Sequence, residues 1–141
     1  MLVLRVLLLI VLFGSPFFAY FAMTSGVPRD DLTRPFRFLN WTFAVLIVGL
    51  IALVALGTTM GDDQPEPSPV VQLLLFALIV AWAANGFAFW VALGVLAKRL
   101  HRSPIIWIGA AFLTNPVGPF VACFMMRGNV KEALRGAVAR S

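Results

Sequence analysis

Apolar residues gather in four long runs along the chain, and charged residues collect between them. The runs cover residues 2–23, 41–59, 70–97 and 105–126. Each is close to or above the roughly 20 residues that a helix needs to cross the hydrocarbon core of a bilayer. Of the 17 charged residues (11 basic and 6 acidic), only Arg5 falls within a run, near enough to its end for the side chain to reach the headgroups.

The pattern within the runs favours helices over strands. They lack the two-residue alternation of barrel strands, and an open sheet would leave unsatisfied backbone groups at its edges in lipid. We therefore expect an all-α integral membrane protein, a small bundle of three to four transmembrane helices. The connections are too short for a separate soluble core, so we expect a single domain over residues 1–141, with a basic tail at 127–141.

Asparagine, glycine and proline predict where helices begin and break. Asn40 stands directly before the second run, where its side chain can cap a helix. The acidic connection 61–69 has three prolines and no basic residue, which predicts a solvated turn outside the cytoplasm. Within the fourth run, Pro116, Gly118 and Pro119 predict a helix break.

The fourth run allows two topologies. If it enters the bilayer and returns on the same side, ten basic residues face the cytoplasm and only Arg5 does not, as the charge rule requires. If it is one continuous helix, a stripe of small residues at four-residue spacing supports close helix contact. The stripe consists of Ala110, Thr114, Gly118 and Ala122. The charge distribution favours a run that is broken or re-entrant at 115–119.

The charge of the chain indicates a lipid partner. Charged residues make up 12% of the sequence, against about 25% in soluble domains, and the net charge is +5. In so apolar a chain this excess favours contact with anionic lipids, and no nucleic-acid-binding motif occurs. The residues expected to bind headgroups are Arg34, Arg37, Lys98, Arg99, Arg102, Arg127, Lys131 and Arg135.

A few polar side chains lie inside the apolar runs. Asn85 is near the centre of the third run, and an amide there must find a hydrogen-bond partner. We expect interhelical polar contacts from Asn85, Gln72 and Asn115, with a ligand or ion contact at Asn85 as the alternative. Trp82 and Trp90 cannot both lie at an interface together with Trp107, so some of these rings should face protein, lipid or a bound hydrophobic molecule.

No residue pattern for catalysis occurs in the sequence. His101 is the only histidine and Cys123 the only cysteine, so the chain offers neither a pair of histidine ligands for haem nor a thiolate cluster. No nucleophile-elbow, phosphate-loop or metal-hydrolase motif is present. We expect no catalytic residue, no metal site and no cofactor.

These features suggest a role in a larger membrane assembly. The segment 98–119 resembles small bacterial inner-membrane proteins in general character, which implies a multi-pass protein of a bacterial cytoplasmic (inner) membrane. We expect a non-catalytic structural or accessory subunit of a membrane complex, with other membrane protein subunits and anionic lipids as partners. The alternatives are a small transporter or channel with a site near Asn85 and the 115–119 break, and a lipid-modifying enzyme.

Overall fold

The fold was obtained as a computed structural model, which describes residues 2–28, 31–59, 67–113 and 117–138. In these residues the chain forms five helices and no strand, so the expected all-α fold is confirmed. The helices are α1 (Leu2–Thr24), α2 (Thr33–Thr59), α3 (Pro69–Arg99), α4 (Pro104–Leu113) and α5 (Gly118–Val138). Of the helices in the described ranges, α1, α2 and α3 are long and apolar enough to cross a membrane.

Helix α2 begins earlier than the apolar run predicts. Its first residue is Thr33, and Phe36 N donates to Leu32 O (3.1 Å). The carboxylate of Asp31 accepts a hydrogen bond from Thr33 N (2.9 Å), so an Asx turn directly precedes the helix. Asn40 therefore lies inside α2, and the expectation that it caps this helix is wrong. The charged residues before the apolar run can therefore be helical, because the Asp31 side chain binds a backbone N–H group that has no partner within the helix.

Helix α3 begins close to where the sequence predicts. Ser68 is its N-cap, with Oγ accepting from Val71 N (3.4 Å), and Pro69 occupies the first helical position. A proline costs nothing there, because the missing N–H would have no partner in the helix. At 31 residues α3 is the longest helix, and every other helix packs against it.

Of the three long helices, α1 and α3 run in the same direction and α2 runs in the opposite direction. The side chain of Arg5 lies over the ring of Phe76, at 5.9 Å, and Ser15 contacts Ala84, so α1 and α3 run in parallel. Asn85 contacts Thr42, and Trp82 contacts Leu46, so α2 is antiparallel to both. The end of α1, the start of α2 and the end of α3 thus meet at one end of the molecule. We call it the basic end, because it carries Arg34, Arg37, Lys98, Arg99 and Arg102.

Helices α4 and α5 form an antiparallel hairpin beside α3. Helix α4 leaves the basic end, and its Phe112 ring lies 6.3 Å from the ring of Trp90. Helix α5 returns, because Phe120 packs edge-on against Phe43 (5.4 Å) and Arg127, seven residues later, contacts Asn40, which is closer to the start of α2. The fourth apolar run is therefore two helices, and the alternative of one continuous helix is wrong.

Helix α5 also includes most of the predicted tail. It runs from Gly118 to Val138 without interruption at 126–127. Met126 and Val130 are both fully buried, and Leu134 packs against the same core. The described part of the tail is thus a packed helix because one face of it is apolar at four-residue spacing.

The buried core lies toward the basic end. In α3 the buried residues from Ala88 to Ala97 are close together, whereas Val80 is the only buried residue in the earlier part of the helix. Phe89 is fully buried in this core, with the ring of Phe43 6.1 Å away. The α4–α5 hairpin contributes Cys123, Met126 and Val130 to this core. The hairpin therefore extends the core at the basic end and not at the opposite end.

Candidate functional site

Two side chains of α3 bind the backbone of α2. Asn85 Nδ2 donates to Thr42 O (2.8 Å), and Trp82 Nε1 donates to Leu46 O (3.1 Å). Donors three residues apart on one helix meet acceptors four residues apart on the other, as neighbouring positions on two facing helix surfaces do. The structure therefore brings Asn85 into an interhelical contact, and Trp82 makes a second contact with the same helix.

A glycine of α2 provides the space for the indole ring. A Cβ atom placed on Gly49 would collide with the Trp82 side chain. The equivalent atom on Gly57, two turns later in α2, would meet no heavy atom within 4 Å. Gly49 is thus a contact residue, whereas Gly57 is not. A Gly at the closest approach of two helices is a common feature of membrane helix pairs.

Ser15 makes the corresponding contact between α1 and α3. Its hydroxyl donates to Leu12 O (2.8 Å) and also lies 3.4 Å from Ala84 O on α3. Ser15, Trp82 and Asn85 thus direct their donors to backbone carbonyls. Among the described residues, every buried side-chain nitrogen or oxygen has a hydrogen-bond partner.

Gln72 lies elsewhere, and the expectation of an interhelical contact is wrong for it. Its Nε2 donates to Pro67 O (3.0 Å), and the side chain is exposed. The residue is in the first turn of α3, where loop carbonyls are available within the same chain segment. Asn115, the third amide predicted to make such a contact, lies outside the described residues, as does Pro116.

Two arginines of the predicted headgroup-binding set donate hydrogen bonds to backbone oxygens of the protein itself. Arg99 Nη1 donates to the backbone oxygen of Asp31, and Arg34 Nη1 donates to Ser25 O (3.1 Å). Both bonds fix the connection between α1 and α2. Hydrogen bonds from the hydroxyl and the N–H of Thr33 lower the pKa of the Asp31 carboxyl, with the positive charge of Arg99 adding to the effect.

Arg127 joins the hairpin to α2. Its Nε donates to Asn40 Oδ1 (2.6 Å), and its guanidinium lies 6.0 Å from the centre of the Phe124 ring. A charge-assisted bond of this length is a strong one. The rest of the predicted headgroup set is exposed: Arg37, Lys98, Arg102, Lys131 and Arg135.

A cavity of about 530 Å³ opens at the basic end between α1 and α3. Hydroxyl groups line it on the α1 side, and cationic groups line it on the α3 side. Its walls are formed by Tyr20, Thr24, Val27, Val95, Lys98, Arg99 and His101. Among the described residues that line it, none carries a carboxylate.

His101 adopts an unusual backbone conformation at this cavity. Its φ is +55°, in the left-handed region where glycine is usual. His101 N donates to Lys98 O (3.1 Å), and Arg102 N donates to Ala97 O (2.8 Å), which is the Schellman arrangement at the end of a helix. A histidine thus occupies the position that glycine normally fills, and its side chain lines the cavity.

An apolar groove of about 400 Å³ separates α4 from α5. Ala110, Gly118 and Ala122, three residues of the predicted small-residue stripe, line it from both helices. Gly118 begins α5, and Pro119 lies in its first turn, where proline is tolerated. The predicted break at Gly118 and Pro119 therefore coincides with a helix start.

Three residues that position the start of α2 and its contact with α3 were not predicted from the sequence: Asp31, Thr33 and Gly49. Asp31 and Thr33 form a short polar pair before α2, and Asx-turn patterns of this kind can be read from a sequence. Gly49 gave no such signal, because a glycine in an apolar run is common and its partner lies 33 residues away in the chain.

Comparison with known proteins does not assign the chain. No family model, curated protein or solved structure matches it. In the ranges that the structure describes, no group of three or more His, Cys, Asp or Glu side chains is arranged to hold a metal ion.

Proposed function

We propose that the protein is integral to a membrane, which α1, α2 and α3 cross and the α4–α5 hairpin enters from one side. The length of α4 supports this topology, since 10 residues at about 1.5 Å each extend about 15 Å, half of the roughly 30 Å of hydrocarbon. The basic end faces the cytoplasm in this proposal. Ten of the 11 basic residues are then cytoplasmic, as expected for a bacterial cytoplasmic membrane.

The proposed role in that membrane is a non-catalytic accessory subunit of a larger membrane protein complex. The observation that supports it is the use of the polar groups within the long helices. Asn85 and Trp82 each direct a donor to a backbone carbonyl of a neighbouring helix. The Ser15 hydroxyl, which donates to Leu12 O in its own helix, lies 3.4 Å from Ala84 O of α3. Such groups fix the helix arrangement, whereas a transport path needs polar groups that face a water-filled route.

Other membrane protein subunits and anionic lipids are the proposed partners. Much of α1 and the apolar face of α4 lie on the outside, with Phe17, Phe18 and Ile105 each more than 70% exposed. Lipid covers such residues in an isolated chain, and helices of a partner can replace the lipid. The exposed cations at the basic end suit anionic headgroups.

Affinity purification in a mild detergent provides the test. We expect other membrane proteins to co-purify in a fixed molar ratio from the native host, and liposomes containing the chain alone to show no solute flux above empty liposomes. Purification of the chain by itself, together with flux in these liposomes, would contradict the accessory role.

Two variants separate the transporter alternative from leakage. If flux occurs, Asn85→Leu abolishes it in a transporter with a site at Asn85, whereas Gln72→Leu leaves it unchanged. Both substitutions remove an amide from α3, but only Asn85 contacts another helix. Flux that is equal in both variants is leakage.

A further inference from the structure

We propose that the cavity between α1 and α3 at the basic end binds the phosphate group of an anionic phospholipid. The inference rests on the proposed membrane integration, and it does not depend on the accessory role. It goes further than a general attraction of lipid to basic residues, because it assigns one lipid molecule to one site. The chemical basis is a set of donors and cations around this space, with no carboxylate among the described residues that line it.

The lining groups match the needs of a phosphate ester. A phosphate diester offers only acceptor oxygens, and Tyr20, Lys98 and Arg99 all carry donors. Thr24 Oγ1 donates its only proton to Tyr20 O (2.8 Å), so Thr24 lines the cavity without a free donor. The two cations provide the charge-assisted bonds that bind phosphate most strongly.

Arg99 is held in place before any ligand binds. One guanidinium nitrogen donates to the backbone oxygen of Asp31, while the side chain lines the cavity. Guanidinium has five N–H donors in a planar fork, so one bond to the protein leaves donors for a phosphate. Preorganisation of this kind reduces the entropy lost on binding. Lys98 is exposed and supplies a flexible second charge.

The end of α3 would by itself disfavour an anion, because helix C-termini carry partial negative charge. Here three of the last carbonyls are already occupied. Those of Leu96, Ala97 and Lys98 accept hydrogen bonds from the N–H groups of Leu100, Arg102 and His101, respectively. The left-handed conformation of His101 turns the next N–H group, that of Arg102, toward Ala97 O, and it places a histidine instead of a glycine at the cavity.

The size and polarity of the cavity favour a lipid over a free phosphate ion. Its volume of about 530 Å³ is in the range of organic ligand sites and is much larger than one phosphate group. Lys98 and His101 line it at the helix ends, whereas Val95, one turn deeper, is apolar and buried. A glycerophospholipid has the same order of groups, with the phosphate outside and the glycerol and acyl chains inside.

The test measures lipid binding to the purified chain. Phosphatidylglycerol is titrated into the protein in nanodiscs of phosphatidylcholine, and retained lipid is counted by native mass spectrometry. We expect one phosphatidylglycerol per chain, and Lys98→Gln to weaken its binding about tenfold. Arg102→Gln removes the same charge from the same connection but does not line the cavity, so we expect less than about a twofold change. Lys98→Arg should restore binding.

A second pair of variants adds a charge instead of removing one. Thr24→Glu places a carboxylate in the cavity and should abolish retention, whereas Ser25→Glu places it one residue outside and should leave retention nearly unchanged. Thermal unfolding of each variant checks that it is folded. Equal losses in the members of both pairs would overturn the proposal, because they would indicate diffuse attraction to the basic end.

Inorganic phosphate distinguishes the source of the ligand. We expect it to displace phosphatidylglycerol only at a large molar excess. Displacement at comparable concentrations would overturn the lipid assignment in favour of a soluble phosphate ester. Because the titration uses the isolated chain, its failure and the absence of partner subunits in a purification are separate results.

Discussion

Asn85 Nδ2 lies 2.8 Å from the backbone oxygen of Thr42, on the neighbouring helix α2. Thr42 lies well within α2, so its carbonyl also accepts the hydrogen bond of the helix, and the amide uses the second lone pair. The contact therefore joins α3 to α2 without interrupting either helix. It sets which face of α3 points to α2, since no other amide in the described part of α3 reaches a neighbouring helix.

Replacing this amide should weaken the helix pair measurably. We expect Asn85→Leu to lower the free energy of unfolding in detergent by about 1 kcal/mol, the usual size of an interhelical hydrogen bond in a membrane protein. Gln72→Leu is the matched control, because its amide is exposed and bonds only to Pro67. Thermal unfolding followed by circular dichroism provides the measurement. Equal effects of the two substitutions would show that the contact with Thr42 contributes nothing specific.

Two glycines of α2 should respond in opposite directions to alanine. Gly49→Ala forces a methyl group against the Trp82 ring, and we expect a loss of about 1–3 kcal/mol. Gly57→Ala meets open space, and we expect a gain of about 0.5–1 kcal/mol from the better helix propensity of alanine. Unfolding in detergent measures both. A stable Gly49→Ala variant would contradict the close approach of the indole ring.

The hairpin makes a topological prediction that cysteine labelling can check. In a Cys123→Ala background, Ser103→Cys and Arg135→Cys should both be protected from an impermeant maleimide outside intact cells. Pro67→Cys, at the opposite end of the molecule, should be labelled. Each substitution replaces an exposed residue. Labelling of Arg135→Cys without Ser103→Cys would mean that the last run crosses the membrane completely.

Acid should remove part of the stability that Asp31 provides. Its pKa is lowered from the ordinary value of 3.8 chiefly by Thr33, so the ionised form is the one that the fold stabilises. That contribution is complete above pH 3.8 and is lost as the pH falls through the lower pKa of the folded state. We expect Thr33→Val to be less stable than the wild type at neutral pH, and the difference to shrink in acid.

Thr58→Val is the matched control for this pH dependence. The Thr58 hydroxyl donates to Ala55 O in the same helix but contacts no carboxylate in the described residues. Its effect should be the same at all pH values. Thermal unfolding of the three proteins between about pH 6 and pH 3 gives the comparison. A Thr33→Val difference that is constant over this range would contradict the shift at Asp31.

The sequence predicted the helices well and their partners poorly. Periodicity, caps and breakers act within a few residues, so the all-α fold, the start of α3 and the break before Gly118 were accessible. The start of α2 was missed, because the composition changes from charged to apolar inside that helix. Asn85 was recognisable as an amide in need of a partner, but the same reasoning was wrong for Gln72, whose partner is in its own connection. Membrane insertion, headgroup binding and the accessory role stay predictions.

The shortness of α4 gives the molecule unequal cross-sections at its two ends. Of the described helices, a plane near the basic end cuts all five, whereas a plane near Pro69 cuts α1, α2 and α3, because α4 reaches only about 15 Å from the basic end. In the proposed bilayer arrangement, such a wedge would displace more lipid from one leaflet than from the other. In a flat membrane, the lipids around the protein would have to adjust to the difference in cross-section between the two leaflets. A membrane that curves away from the basic end would fit this shape without such adjustment.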